Sequence, residues 1–156
     1  MADRLAEIRT QMLDAHQQLV HTLDRLPADA WNRPTPGNDG WTLKETLTHL
    51  CTIEERLRAQ VRAIVDGTAY PSEDVDVFNA RKIAERRDRS VAALRAELEA
   101  ERATALAVLD GLAESDLDRS IEHPTRGTVT VERPLRLIAD HMGRHTRELA
   151  ALLDGA

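Results

Sequence analysis

The chain has 156 residues and a formal charge of −6, from 21 basic and 27 acidic side chains, a balance that argues against the basic face of a nucleic-acid binder. Its length fits one domain over residues 1–156, able to bury about two-thirds of the surface exposed by the unfolded chain. No apolar run exceeds five residues and Cys51 is the single cysteine, so neither a membrane span nor an internal disulfide framework is expected.

The opening MADRLAEIRT is charged and amphipathic and lacks an apolar leader segment, so no secretory signal and a cytoplasmic location are expected. Leu5, Ile8, Met12, Ala15, Leu19 and Leu23 recur at alternating spacings of three and four, which predicts a first helix over 3–25. Pro27, Pro34, Pro36, Gly37 and Gly40 then break the pattern into a loop. TLKE opens a second helix, with Thr42 and Glu45 placed for a reciprocal capping box. Its stripe runs through Leu43, Leu47, Leu50, Leu57, Val61 and Ile64 to Gly67 and Pro71. A shorter helix is expected over 74–87, and Ser90 caps a longer one carrying Val91, Leu94, Leu98, Ala105, Leu109 and Leu112. Ile121, Val129 and Val131 alternate around PTRG as in a small hairpin. Pro134 suits the first turn of a final helix ending near 153. Four long amphipathic helices make an all-α four-helix bundle, with the hairpin before the last helix.

The last helix carries HMGRHTREL, residues 141–149. Its apolar stripe reads Ile138, His141, His145, Leu149 and Leu152, so two imidazoles face the core one turn apart, about 5–6 Å between Cβ atoms. Two ring nitrogens at that spacing can reach one ion at roughly 2.0–2.1 Å. The competing reading is a coincidence among six histidines; against it, a chance pair faces solvent, since burying unpartnered imidazoles is unfavourable. His49 lies on the edge of the second helix's buried face, about 40° of arc from Ile53. Alone it reads as a hydrogen-bonded interface histidine. Beside the pair, it fits the way bundles assemble internal metal sites from facing helices. Three imidazoles leave a fourth position open for water or substrate.

WTLKETLTHL (41–50), Asn79 in DVDVFNARKIAERR, HPTRGTVTV (123–131) and IADHMGRHTREL (138–149) together resemble the DinB-like, or YfiT-like, superfamily over nearly the whole chain. The resemblance implies a four-helix bundle holding one divalent metal, zinc or nickel, on His49, His141 and His145. Relatives often pair through helix faces, which makes a homodimer an expectation. Characterised members include thiol-dependent S-transferases and a mycothiol-dependent maleylpyruvate isomerase. The isomerase branch matches only partly, because it replaces one histidine with a carboxylate and carries extra sequence. Arg-over-Lys usage and abundant Ala point to a GC-rich bacterial genome and hence to mycothiol rather than bacillithiol as co-substrate.

Other residues have blander readings. Cys51 stands about 200° around the helix from His49 and reads as a small buried hydrophobe. His16 reads as a partly exposed packing residue, with entry to the pocket as the alternative. His21 reads as solvated and His123 as a turn residue. Glu54 interrupts the second stripe; pairing with an Arg is expected, with orientation of a ligand histidine as the alternative. Asn79 either supports the site or caps a helix. Trp31 and Trp41 are expected to pack over the bundle's end.

Met142 stands where a zinc protease of the HExxH type needs its glutamate base, and no phosphate-cradling Gly-rich loop or Gly-x-Ser-x-Gly elbow occurs. Two functions from different classes remain. One is a metal-dependent transferase joining a small-molecule thiol to a small electrophile. The other is a non-catalytic metal- or ligand-binding bundle. A positively lined pocket beside the metal would favour the enzyme.

Overall fold

The computed structural model describes residues 3–37 and 40–154. Five helices are present among them: α1 (Arg4–Arg25), α2 (Leu43–Asp66), α3 (Val75–Glu85), α4 (Val91–Asp110) and α5 (Glu132–Asp154). Strands β1 (Ser120–His123) and β2 (Gly127–Thr130) precede α5.

The boundaries follow from local chemistry. Asp3, Thr42, Asp74 and Ser90 each accept a first-turn amide proton of the helix that follows, satisfying donors that the helix cannot. Thr42 takes the Glu45 amide at 3.2 Å, but the reciprocal half of the expected capping box is absent among the described hydrogen bonds. Gly67 ends α2 at φ +69°, a left-handed closure that a side chain would oppose. α3 stops at Glu85, two residues short of the expected end. Ile121 pairs with Val129 across the hairpin, and Gly127 at φ +69° closes its turn. Pro134 lies in the first turn of α5, where its missing N–H removes no helical bond.

The four long helices pack with α5 against α1 and α2, and α4 against α2 and α1, while α3 lies on α2. The apolar stripes bury two clusters. One gathers Ile8, Met12, Leu57, Val61, Leu109, Leu135 and Ile138 with Val129 and Val131 of the hairpin. The other gathers Leu19, Leu23, Leu43, Leu47, Leu50, Leu94, Leu98 and Leu149. The histidine pair of α5 begins where the first cluster ends. No helix is long and apolar enough to cross a membrane.

Candidate metal centre

α2 and α5 bring His49, His141 and His145 together, and one ring nitrogen from each lies within 4.8 Å of the others. His141 Nε2 stands 2.9 Å from His49 Nε2 and 3.1 Å from His145 Nε2. Nitrogens held roughly 2.0–2.1 Å from one tetrahedral ion stand roughly 3.3 Å apart, so these two separations are within a few tenths of an ångström of that geometry. Three close histidines of this kind could hold a metal ion.

The outer ring atoms settle which nitrogens carry lone pairs. His49 Nδ1 lies 3.2 Å from Asn79 Oδ1, and His145 Nδ1 lies 2.7 Å from Glu148 Oε2. Both partners accept there, so each Nδ1 donates and each Nε2 is left with its lone pair facing the centre. Arg144 Nη2, a donor only, stands 3.4 Å from His145 Nε2, in keeping with that tautomer. His141 Nε2 can donate one proton to one neighbour. At least one close nitrogen contact therefore sets lone pair against lone pair, which a shared cation relieves. The donor set fits a divalent ion of borderline softness.

Burial keeps the imidazoles neutral. Loss of solvation, reinforced by the neighbouring His145 and Arg144, pulls His49 down to about 3 against the opposing hydrogen bond that its ring donates to Asn79. Burial and the facing His49 and His145 pull His141 to about 2. His145 is lowered by burial, against Glu148, which favours its protonated form. Neutral nitrogens need shed no proton to bind a metal.

The cluster opens into a cleft of about 320 Å³, whose lining includes the apolar Trp41, Ile53, Val75 and Leu137 and the cationic Arg56, Arg126 and Arg144. Among the described residues no carboxylate lines it, and none of these three arginines belongs to the ion pairs found among those residues, in which most other arginines take part. The guanidiniums come from α2, the hairpin turn and α5. A volume near the low end for ligand pockets suits a small molecule or the end of a longer one.

Most other residues fall as the sequence reading has them, while His16 and Glu54 do not. Asn79 supports His49 rather than capping α3. Trp41 packs its ring 4.8 Å from that of His49 and walls the cleft, whereas Trp31 packs against the second apolar cluster as expected. Cys51 is buried and donates to Leu94 O at 3.1 Å, and burial raises its thiol. His21 is exposed, and His123 receives the Thr125 amide within the turn. His16 is buried rather than half-exposed, because Glu99 of α4 covers it with a 2.9 Å hydrogen bond to Nε2. Glu54 is buried and makes no ion pair with an arginine; Arg58, one turn on, is taken by Glu101. Glu148 and the cleft arginines were missed by the sequence reading. For Glu148 the signal was its position three residues after His145, one turn along the same face.

The family model described as the DinB superfamily matches residues 11–149, and the chain belongs to that superfamily. Solved structures share the fold. One is titled Sibling Lethal Factor Precursor - DfsB, with 15% identity, TM-score 0.80 and coverage of 99% of this chain and 98% of that one. Another is the colibactin self-resistance protein ClbS in complex with a dsDNA, with 13% identity, TM-score 0.78 and coverage of 96% and 95%. A third is an uncharacterised protein from Escherichia coli UTI89, with 11% identity, TM-score 0.76 and coverage of 97% and 93%. Comparison with curated proteins finds no match.

Proposed function

We propose that the protein is a metal-dependent transferase that joins a low-molecular-weight thiol, of the mycothiol type, to a small electrophile. The observation that carries this reading is the cleft beside the histidine cluster, with three arginines and, among the described residues, no carboxylate on its walls. A binding site with that lining favours a ligand rich in acceptor oxygens, the hydroxyl and amide oxygens of mycothiol or the carboxylates of other cellular thiols.

His49, His141 and His145 would hold the ion, either zinc or nickel, with Asn79 and Glu148 fixing two of the rings. Such an ion, when bound, supplies Lewis acidity that favours the thiolate over the thiol. The chain's own residues do the rest. Arg56, Arg126 and Arg144 donate hydrogen bonds to the polar end of the thiol, its sugar hydroxyl and amide oxygens in mycothiol or its carboxylates in bacillithiol and glutathione, so that its sulfur end enters first. Trp41, Ile53, Val75 and Leu137 offer an apolar wall to the electrophile and exclude water from it. The reaction breaks the S–H bond, passing its proton to solvent, and forms a C–S bond. The electron pair displaced from carbon departs with the leaving group, or is protonated where the electrophile is an unsaturated acceptor. A free thiol has a pKa near 8.5 and is mostly protonated at neutral pH, so holding it as thiolate removes a real barrier.

The cleft and the acidic net charge also bear on nucleic acid. Three arginines in a concave pocket suit a small anion rather than a duplex backbone, which needs a basic stripe along the surface. The test is metal analysis of the purified protein together with a conjugation screen using mycothiol, bacillithiol, glutathione and cysteine against monochlorobimane. About one divalent ion per chain and metal-dependent turnover with one of these thiols is expected. Turnover with none of them by metal-loaded protein would overturn the transferase reading and leave a binding protein.

A further inference from the structure

The two apolar clusters do not meet evenly. On α1, Met12 belongs to one and Leu19 to the other, with His16 between them. Glu54 holds the same place on α2 between Cys51 and Leu57, and Arg102 on α4 between Leu98 and Ala105. These three polar side chains line one small cavity of about 10 Å³, walled otherwise by apolar groups including Met12, Ile138 and Met142. His16 is 4% exposed and Glu54 3%. His16 Nδ1, Glu54 Oε2 and Arg102 Nε are each shielded from solvent and have no hydrogen-bond partner in the protein. One such atom is costly; three around one void call for a common partner.

Their donor and acceptor pattern selects that partner. His16 Nε2 faces Glu99 Oε1 at 2.9 Å and donates to it, so Nδ1 accepts. Glu54 Oε2 accepts as carboxylate, and Arg102 Nε can only donate. A cation is opposed by the Arg102 guanidinium and an anion by Glu54. A cavity of about 10–15 Å³ holds one water molecule, and a buried water makes about three hydrogen bonds. We propose that this pocket is a hydration site for a single ordered water, which donates to Glu54 Oε2 and His16 Nδ1 and accepts from Arg102 Nε. The water joins α1, α2 and α4 in the layer between the two apolar clusters. Through His16 it connects Glu54 to Glu99, whose side chain is 52% exposed.

A crystal structure of the full-length protein at a resolution that defines ordered solvent tests the assignment. The expected result is one solvent peak at roughly 2.7–3.2 Å from all three atoms. A dry pocket, or Glu54 turned to bond Arg102 or His16 directly, overturns it. Glu54→Gln and Glu54→Leu supply a second readout, compared at pH 7.5 in the same buffer. The amide keeps an acceptor for the water; leucine fills the space and orphans His16 Nδ1 and Arg102 Nε. E54L should therefore melt roughly 5 °C below E54Q. Equal melting temperatures, or a more stable E54L, would count against a water-filled site.

Discussion

Acidifying the metal-free protein probes the burial of the histidine cluster, and the magnitude follows from the positions of the rings. His49 is held at about 3 and His141 at about 2 by loss of solvation, whereas unfolding returns each to about 6.5. The folded values are depressed, so the unfolded chain binds protons first. The stability these rings confer is fully present above pH 6.5 and is lost as pH falls from there toward 3. Between pH 7.5 and 5 each ring then removes about 2 kcal/mol. That is a large share of a typical stability of about 5–15 kcal/mol. Urea unfolding followed by far-ultraviolet circular dichroism, in EDTA at pH 7.5, 6.5, 5.5 and 5, measures the slope. His49→Leu removes one titrating ring while leaving Glu54 and every surface carboxylate in place, so their contributions cancel in the comparison. The wild type should lose about 2 kcal/mol more than H49L across that range. Parallel slopes would mean that His49 ionises freely in the folded chain, and the buried, preorganised cluster would be refuted.

Glu54 runs the opposite way. Burial raises its carboxyl to about 7 despite Arg58, so its contribution is present below about 4.5 and is lost as pH rises toward 7; Glu54→Gln should gain stability on the wild type at pH 8 and match it at pH 4.5, as thermal melts would reveal. Protein isolated without chelator should carry close to one divalent transition ion, and His141→Ala and His145→Ala should each lose most of it by elemental analysis; wild type that takes up neither zinc nor nickel on titration has no such site. EDTA should lower the melting temperature through simple linkage, while circular dichroism still reports a helical bundle, because both apolar clusters are independent of the ion. Arg144→Ala should raise KM for an anionic thiol about tenfold with little change in kcat, and an unchanged KM would remove that guanidinium from the anchor. Thiol conjugation should be accelerated most below pH 8.5, where free thiolate is scarce, and His49→Ala should abolish the acceleration.

How much of this was legible depended on how far apart in the chain the interacting residues lie. Caps and stops are local: Thr42, Asp74 and Ser90 each satisfy an amide two or three residues on, and Gly67 closes α2 with its own φ. The helices and the hairpin could therefore be read in order. The histidine pair was legible for the same reason, since one helical turn separates its members. His49, on a different helix, was legible as a half-buried edge residue that a bundle could bring to the pair, and the family pattern strengthened that reading. The cleft was not legible. Arg56, Arg126 and Arg144 share no period, and their convergence depends on how the hairpin turn sits over α2 and α5. The same limit explains His16 and Glu54. His16 read as a partly exposed packing residue and Glu54 as the partner of an Arg, but Glu99 of α4 covers the first, and Arg58, the obvious partner of the second, is engaged by Glu101.

These interruptions share one level of the bundle, and that has a physical consequence. His16, Glu54 and Arg102 lie where one apolar cluster gives way to the other, as does His141 on α5, while His49 and His145 lie beside the second cluster. A buried polar group costs stability unless it is paired, so a band of them survives only where the apolar packing on either side suffices to hold the helices. Rigid helices then fix the ring nitrogens more closely than loops would. On the open side of the band the polar atoms converge on an arginine-lined cleft, and on the closed side they converge on a cavity the size of one water. Polar side chains held by apolar packing thus form both sites, and because both apolar clusters persist without the ion, losing it should weaken the bundle without unfolding it.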